Sequence, residues 1–201
     1  MNKIISASTK RYATIFTILA EIASEGEELH KTQRSKINTE TGEITITGTK
    51  GHGSGTYKLK ARTAEMLREY IKDNPQEYPF PRPKVMSQIW QEVRNRVAKN
   101  LNQPELRYIP MKNLRNYAGA IFYKMHERCA ISTMRFMRHK KLETTMHYLR
   151  AINLDEPTEY DTRAIKLGEL DTQKLIIEYS NAGYQKLTES DGYLYLRIRK
   201  G

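Results

Sequence analysis

The chain has 201 residues, 38% of them hydrophobic and 28% charged, with a net charge of +11. That length accommodates one domain with a full core and an appendage, and the composition is that of a soluble globular protein. The charge points to a polyanionic partner, nucleic acid ahead of a membrane surface. No apolar run approaches the length of a membrane span. The N-terminus, M-N-K-I-I-S-A-S-T-K, has no signal-peptide core. The single cysteine, Cys129, excludes an internal disulfide. A reducing, cytoplasmic setting is expected, and Cys129 reads as a core residue.

Residues 9–24 form the first expected helix, with Tyr12, Ile15, Phe16, Leu19 and Ile22 at helical spacing. Residues 42–60 read as a β-hairpin, E-I-T-I-T-G-T-K and T-Y-K-L-K about G-H-G-S-G, with Ile44, Ile46, Tyr57 and Leu59 toward the core. A helix is expected over 62–73. The run N-P-Q-E-Y-P-F-P-R-P then breaks regular structure and reads as an internal loop. Residues 84–100 resume helical spacing through Val85, Ile89, Val93 and Val97. Trp90 is assigned to the core, and Arg94, Arg96 and Lys99 are candidate phosphate contacts. The helix over 111–127 carries Lys112 and Arg115, three apart and so on one face. Short helices over 132–138 and 142–150 flank His139. A helix over 171–182 leads to a hairpin about Asp191-Gly192 that ends in Y-L-Y-L-R-I-R-K.

The stretch from Lys112 to Tyr148 carries the chemistry. It offers two cations, an imidazole and a phenol. Such a set suits phosphoryl transfer to a protein hydroxyl. Fixed cationic donors stabilise the charge spread over the transition-state oxygens, and a tyrosine can serve as covalent nucleophile.

These spacings resemble the catalytic domain of the tyrosine recombinases of the phage-integrase class, archaeal integrases above all. The family pattern is His or Lys, two residues, Arg, then Leu-Gly-His or similar, then the nucleophilic Tyr nine residues after that His. Here Lys112, Arg115, His139 and Tyr148 match, and L-E-T-T-M-H-Y resembles the family's run into its tyrosine. Arg138 stands where the family has Gly. Upstream, A-S-E-G-E-E-L resembles the family's Gly-x-Arg-x-x-Glu-Leu element. Glu28-Leu29 match, and the expected Arg falls on Glu25. Arg34 is the alternative cation for that role. Lys50 matches a mobile catalytic lysine on the hairpin, with Lys58 as the fallback.

The resemblance implies a mixed α/β, mostly α-helical fold: the tyrosine-recombinase catalytic fold, with a small antiparallel β-sheet and a C-terminal β-hairpin. It implies a catalytic domain over 1–155, a C-terminal extension over 156–201, and no N-terminal core-binding domain. The implied activity is site-specific DNA recombination or integration through a 3′-phosphotyrosyl bond, without cofactor or metal. Tyr148 is the implied nucleophile and Arg115 and His139 the phosphate donors. Lys50 is the general acid and Lys112 an assistant at the phosphate. Glu25, a carboxylate in place of a cation, is expected to weaken the reaction. Double-stranded DNA is the implied partner, held by a homodimer or tetramer, with Arg94, Arg96, Lys99, Arg138, Lys140 and Lys141 as DNA contacts. Two alternatives stand beside this: a degenerate relative that binds DNA without cutting it, and a type IB topoisomerase.

Overall fold

The computed structural model describes residues 1–49, 52–151, 160–169, 171–190 and 192–199. The chain divides into two compact units, Met1–Ile152 and Asn153–Gly201. The boundary expected at 155/156 lies outside the described residues.

The first unit opens with α1 (Asn2–Ser6) and α2 (Lys10–Glu21). Thr14, Ile15, Phe16, Ile18 and Leu19 form the buried side of α2. The helix stops short of the expected residue 24, because Ala23 turns left-handed at φ 48°. A short α3 (Gly26–His30) follows, within the A-S-E-G-E-E-L element to which the sequence reading assigned no helix. The small sheet has three antiparallel strands, β1 (Ile37–Asn38), β2 (Glu43–Ile46) and β3 (Gly55–Lys58), in that order. Ile44 pairs with Tyr57 and Ile46 with Gly55. Both strands of the hairpin are shorter than expected: β2 ends at Ile46 and β3 begins at Gly55. Strand β1 was not anticipated.

Helices α4 (Ala61–Asp73), α5 (Pro83–Asn100), α6 (Asn113–Met125), α7 (Ala130–Phe136) and α8 (Leu142–Ala151) complete the unit. Their limits follow the apolar periodicity within about two residues, and Pro83 starts α5 where a missing N–H costs nothing. The main core gathers Phe16, Leu19, Ile44, Ile46, Leu67, Trp90 and Leu114, all nearly or fully inaccessible. Burying each such side chain contributes roughly 1.5–3 kcal/mol. Phe16 meets Trp90 edge-on at 4.9 Å, and Trp90 Nε1 donates to Ile109 O at 2.8 Å. The proline-rich loop is pinned by Tyr70, which stacks on Phe80 and donates to Pro79 O at 2.7 Å.

One close approach positions the site. An ideal Cβ on Gly119 of α6 would lie 2.5 Å from Met137 Sδ. Glycine therefore lets the turn after α7 settle against α6, where Ala23, Ala118 and Met137 form a small second core with Phe136 and Tyr148. Cys129, assigned to the core from sequence, is instead exposed at the N-cap of α7.

The second unit is built from β4 (Tyr160–Lys166), α9 (Thr172–Asn181), β5 (Gln185–Ser190) and β6 (Tyr193–Arg199). The expected hairpin is β5–β6; Gly192 has φ 78°, and Asp191 lies outside the described residues. The hairpin gains an unanticipated third strand, in the order β4-β6-β5. Leu175, Ile176 and Tyr179 of α9 pack on Ile165, Leu194 and Leu196. Among the described residues no helix is long and apolar enough to cross a membrane.

Candidate active site

The site is organised around a carboxylate that the sequence reading used only as a register mark. Glu28, on α3, is fully buried. Its Oε2 receives Arg138 Nη2 at 2.6 Å, the Glu25 N–H at 2.9 Å, Ser24 Oγ at 3.2 Å and Arg115 Nη1 at 3.5 Å. Its Oε1 lies 3.0 Å from His52 Nδ1. Burial alone would push this carboxyl up. The Glu25 N–H, Arg138 and Arg115 outweigh that effect and hold it below the usual carboxylate range.

Arg115 reaches the cluster from the first turn of α6. Its Nη1 donates to Ala23 O and its Nη2 to Met137 O, each at 2.5 Å. The guanidinium thus clamps the turn after α2 to the turn after α7. Burial works against its charge, and Glu28 opposes that effect; an arginine stays protonated regardless.

Arg138 enters from the turn after α7 with φ 58°. Glycine accepts that conformation freely, and a residue with a side chain does not. The Arg138 side chain folds inward, donates through Nη1 to the Tyr57 hydroxyl and lies 5.2 Å over the Tyr57 ring. Tyr57 Oη donates to Phe136 O at 2.7 Å, and the Gly53 N–H donates to Arg138 O at 3.3 Å. The β2–β3 hairpin and its loop are thereby tied to the turn that carries Arg138 and His139.

His139 is buried at 7% exposure and stacks on Tyr148, ring centroids 5.3 Å apart and 22° from parallel. Burial, with Arg115, His52 and Arg138 adding to it, pushes its pKa down to about 4. The imidazole is therefore neutral near pH 7. Its Nδ1 lies 2.9 Å from Thr145 Oγ1, itself fully buried. A neutral ring carries one proton, either on Nδ1 and donated to Thr145 Oγ1, or on Nε2 with the Thr145 hydroxyl donating to Nδ1; in both cases the bond fixes the ring's orientation. In the tautomer with the proton on Nε2, the ring is a fixed hydrogen-bond donor and not a cation. Tyr148, half-buried on α8, is the phenol beside it.

On its other flank Arg115 lines an open cavity of about 550 Å³ with Glu25, Trp90, Arg94, Met111 and Lys112. Glu25 is the N-cap of α3 and forms a capping box with Glu28. Among the described residues no group of three or more His, Cys, Asp or Glu is placed to hold a metal ion.

No protein-family model matches the chain, and no curated protein matches it. Solved structures do. XerA recombinase is 15% identical, with a TM-score of 0.58 over 78% of this chain and 62% of that one. XerH site-specific recombinase, in a post-cleavage complex with its palindromic difH substrate, is 18% identical, with a TM-score of 0.58 over 77% and 49%. A lambda integrase (75–356) dimer bound to a COC′ core site is 12% identical, with a TM-score of 0.55 over 73% and 55%. The fold is that of a tyrosine recombinase catalytic domain. The chain spans less than two thirds of the length of each of these structures.

On this recombinase fold the expected residues fall into three groups. Arg115, Arg138, His139 and Tyr148 converge directly. Glu25, Lys112 and Arg94 line the adjoining cavity; Arg94 Nη1 also donates to Ile109 O at 2.6 Å. The remaining cations are exposed: Lys99, Lys140, Lys141, and Arg96, whose Nη2 donates to Ala7 O at 2.6 Å. Lys50 lies outside the described residues. Lys58, its fallback, lines a different cavity with Glu21, Tyr117 and Phe122. Arg34, the alternative to position 25, donates to Ile37 O beside the sheet and takes no part in the cluster. The sequence reading missed Glu28 as a hub, gave no role at the site to His52 or Thr145, and placed Tyr57 only in the core. The only signal for Glu28 was its place in the Glu-Leu match.

Proposed function

We propose that the chain cuts and rejoins double-stranded DNA, as a site-specific recombinase or integrase acting through a 3′-phosphotyrosyl intermediate. The observation that carries this reading is the stacking of Tyr148 on a neutral, oriented His139 beside the buried Arg115 guanidinium, on a fold shared with recombinases.

Duplex DNA docks through phosphate contacts from Arg94, Arg96, Lys99, Lys140 and Lys141 on a surface of strong positive charge, with a dimer or tetramer as the working form. Tyr148 Oη bonds to the scissile phosphorus and gives its proton to solvent. The bond from phosphorus to the 5′ oxygen breaks, and the Lys50 ammonium protonates that oxygen. Arg115 and the His139 N–H hold the non-bridging oxygens, and Lys112 supports them from the cavity. A 5′ hydroxyl from a partner strand then attacks the phosphotyrosine. The ester conserves the bond energy, so no nucleotide cofactor enters. Glu25 opposes the phosphate charge and slows the reaction.

A nicked duplex that traps the covalent adduct tests this reading. Slow adduct is expected from the parent chain, faster adduct from Glu25→Arg, and none from Tyr148→Phe. Adduct from Tyr148→Phe would remove Tyr148 as nucleophile. Glu25 favours a second reading, a relative that binds DNA and does not cleave it. DNA binding without adduct from the parent or Glu25→Arg would establish that reading. Strand exchange between two duplexes separates a recombinase from a type IB topoisomerase.

A further inference from the structure

We infer that Arg138 is a second phosphate-contacting guanidinium, working beside Arg115 and filling the role that Glu25 leaves empty. This rests on the reading of the cluster as a phosphodiester site.

The argument begins with charge balance. Glu28 is satisfied without Arg138: the Glu25 N–H, Ser24, His52 and Arg115 already address its two oxygens. Adding Arg138 sets two guanidiniums against one buried carboxylate. A buried charge without a counter-charge is costly, so the pair leaves a place for an anion. The two arginines are also alike. Each side chain is 3% exposed, both approach the same Glu28 oxygen, and each has a buried Nε with no partner among the described residues. The resemblance gives Arg115 a role at the scissile phosphate; Arg138 was expected only as a DNA contact, and its place in the cluster sets it beside Arg115.

The backbone points the same way. A side-chain-bearing residue at φ 58° is strained where a glycine is not. Strain kept in place of a cost-free glycine is a mark of functional sites. The same turn delivers His139 one residue later, so Arg138 and His139 reach the cluster from one rigid connection. Position 25 cannot serve as donor. Its carboxylate caps α3 and faces the cavity that Arg115 lines. A plain structural ion pair between Arg138 and Glu28 is the competing account, and it makes a different prediction for rescue.

The test uses orthovanadate, which imitates a pentacoordinate phosphate, added to the full chain at matched ionic strength, with thermal unfolding as readout. The parent and Tyr148→Phe are expected to show a vanadate-dependent rise in Tm. Arg138→Gly should bind vanadate at least tenfold more weakly, and Glu25→Arg/Arg138→Gly should recover it to within about threefold. On nicked duplex, Arg138→Gly should form adduct about 10²–10³-fold more slowly than the parent, with the double variant restored in the same way. A vanadate response in Arg138→Gly equal to that of the parent overturns the inference, and so does no response in the parent. Loss in Arg138→Gly without rescue in the double variant also overturns it, in favour of the structural ion pair. The two proposals fail separately. Vanadate binding that depends on Arg138, with no adduct from any nicked duplex, leaves Arg138 in place and removes strand cleavage. Adduct from Arg138→Gly within threefold of the parent removes Arg138 and keeps strand cleavage.

Discussion

Arg115 faces two regions that solve opposite problems. One is buried: Glu28 receives Arg138 and His52, and Arg138 also donates to Tyr57, while the Nε of Arg138 has no partner among the described residues. The other is an open cavity with Glu25, Arg94 and Lys112 around it. Two glutamates three residues apart thus have different fates. Glu28 is fully buried and neutralised, so it acts as a fixed strut that aims cations. Glu25 is half-exposed and caps a helix, so its charge is softened by water and by the backbone it serves. The difference teaches that a carboxylate near a proposed phosphate site is harmful or useful according to how many donors share it.

The largest expected effect lies on the buried side. Glu28→Gln leaves two buried guanidiniums without their counter-charge, and should cost about 3–5 kcal/mol, read as a fall in the midpoint of denaturant unfolding. A loss below about 1 kcal/mol would mean the cluster is wet and loosely held, like the cavity.

Next in size is pH. His139 has a folded pKa of about 4 against an ordinary 6.5. The folded state disfavours its protonation, so its stabilising contribution is complete above pH 6.5 and is lost as pH falls toward 4. The loss is at most about 3 kcal/mol. Glu28, also held low, adds a further loss below the usual carboxylate range. Thermal unfolding between pH 7 and 4 should show this slope, and His139→Gln should flatten its upper part. An unchanged slope in that variant would remove His139 as its source.

The smallest effect belongs to the open side. Glu25→Ala deletes an N-cap and should cost about 1 kcal/mol, while DNA affinity rises and the slope of log K against log salt steepens by about one. Stability and affinity moving in the same direction would break the contrast drawn between the two glutamates.

Legibility followed distance along the chain. The helices α4, α5 and α6 could be read because each shows several turns of apolar spacing. Strand β1, with two residues, and α3, with five, are too short to carry a period. The first helix was read too long because nothing in Ile22-Ala23-Ser24 signals that an alanine takes a glycine's conformation. The His139–Tyr148 pair was legible at a separation of nine residues. The Glu28–Arg138 pair, 110 residues apart, and the Arg138–Tyr57 pair, 81 apart, were not. Arg138 was read as one DNA contact among several because a basic residue in a basic stretch gives no sign of facing inward.

The Arg115 clamp has a consequence for how the protein is made. It joins carbonyls 92 and 22 positions away, and pairings of such high contact order form late in folding. Tyr148 and its stacked His139 come together locally, while the guanidiniums need both ends of the first unit. A nascent or partly folded chain therefore carries Tyr148 without those donors, and on the proposed reading the power to cut DNA arrives only with the finished fold.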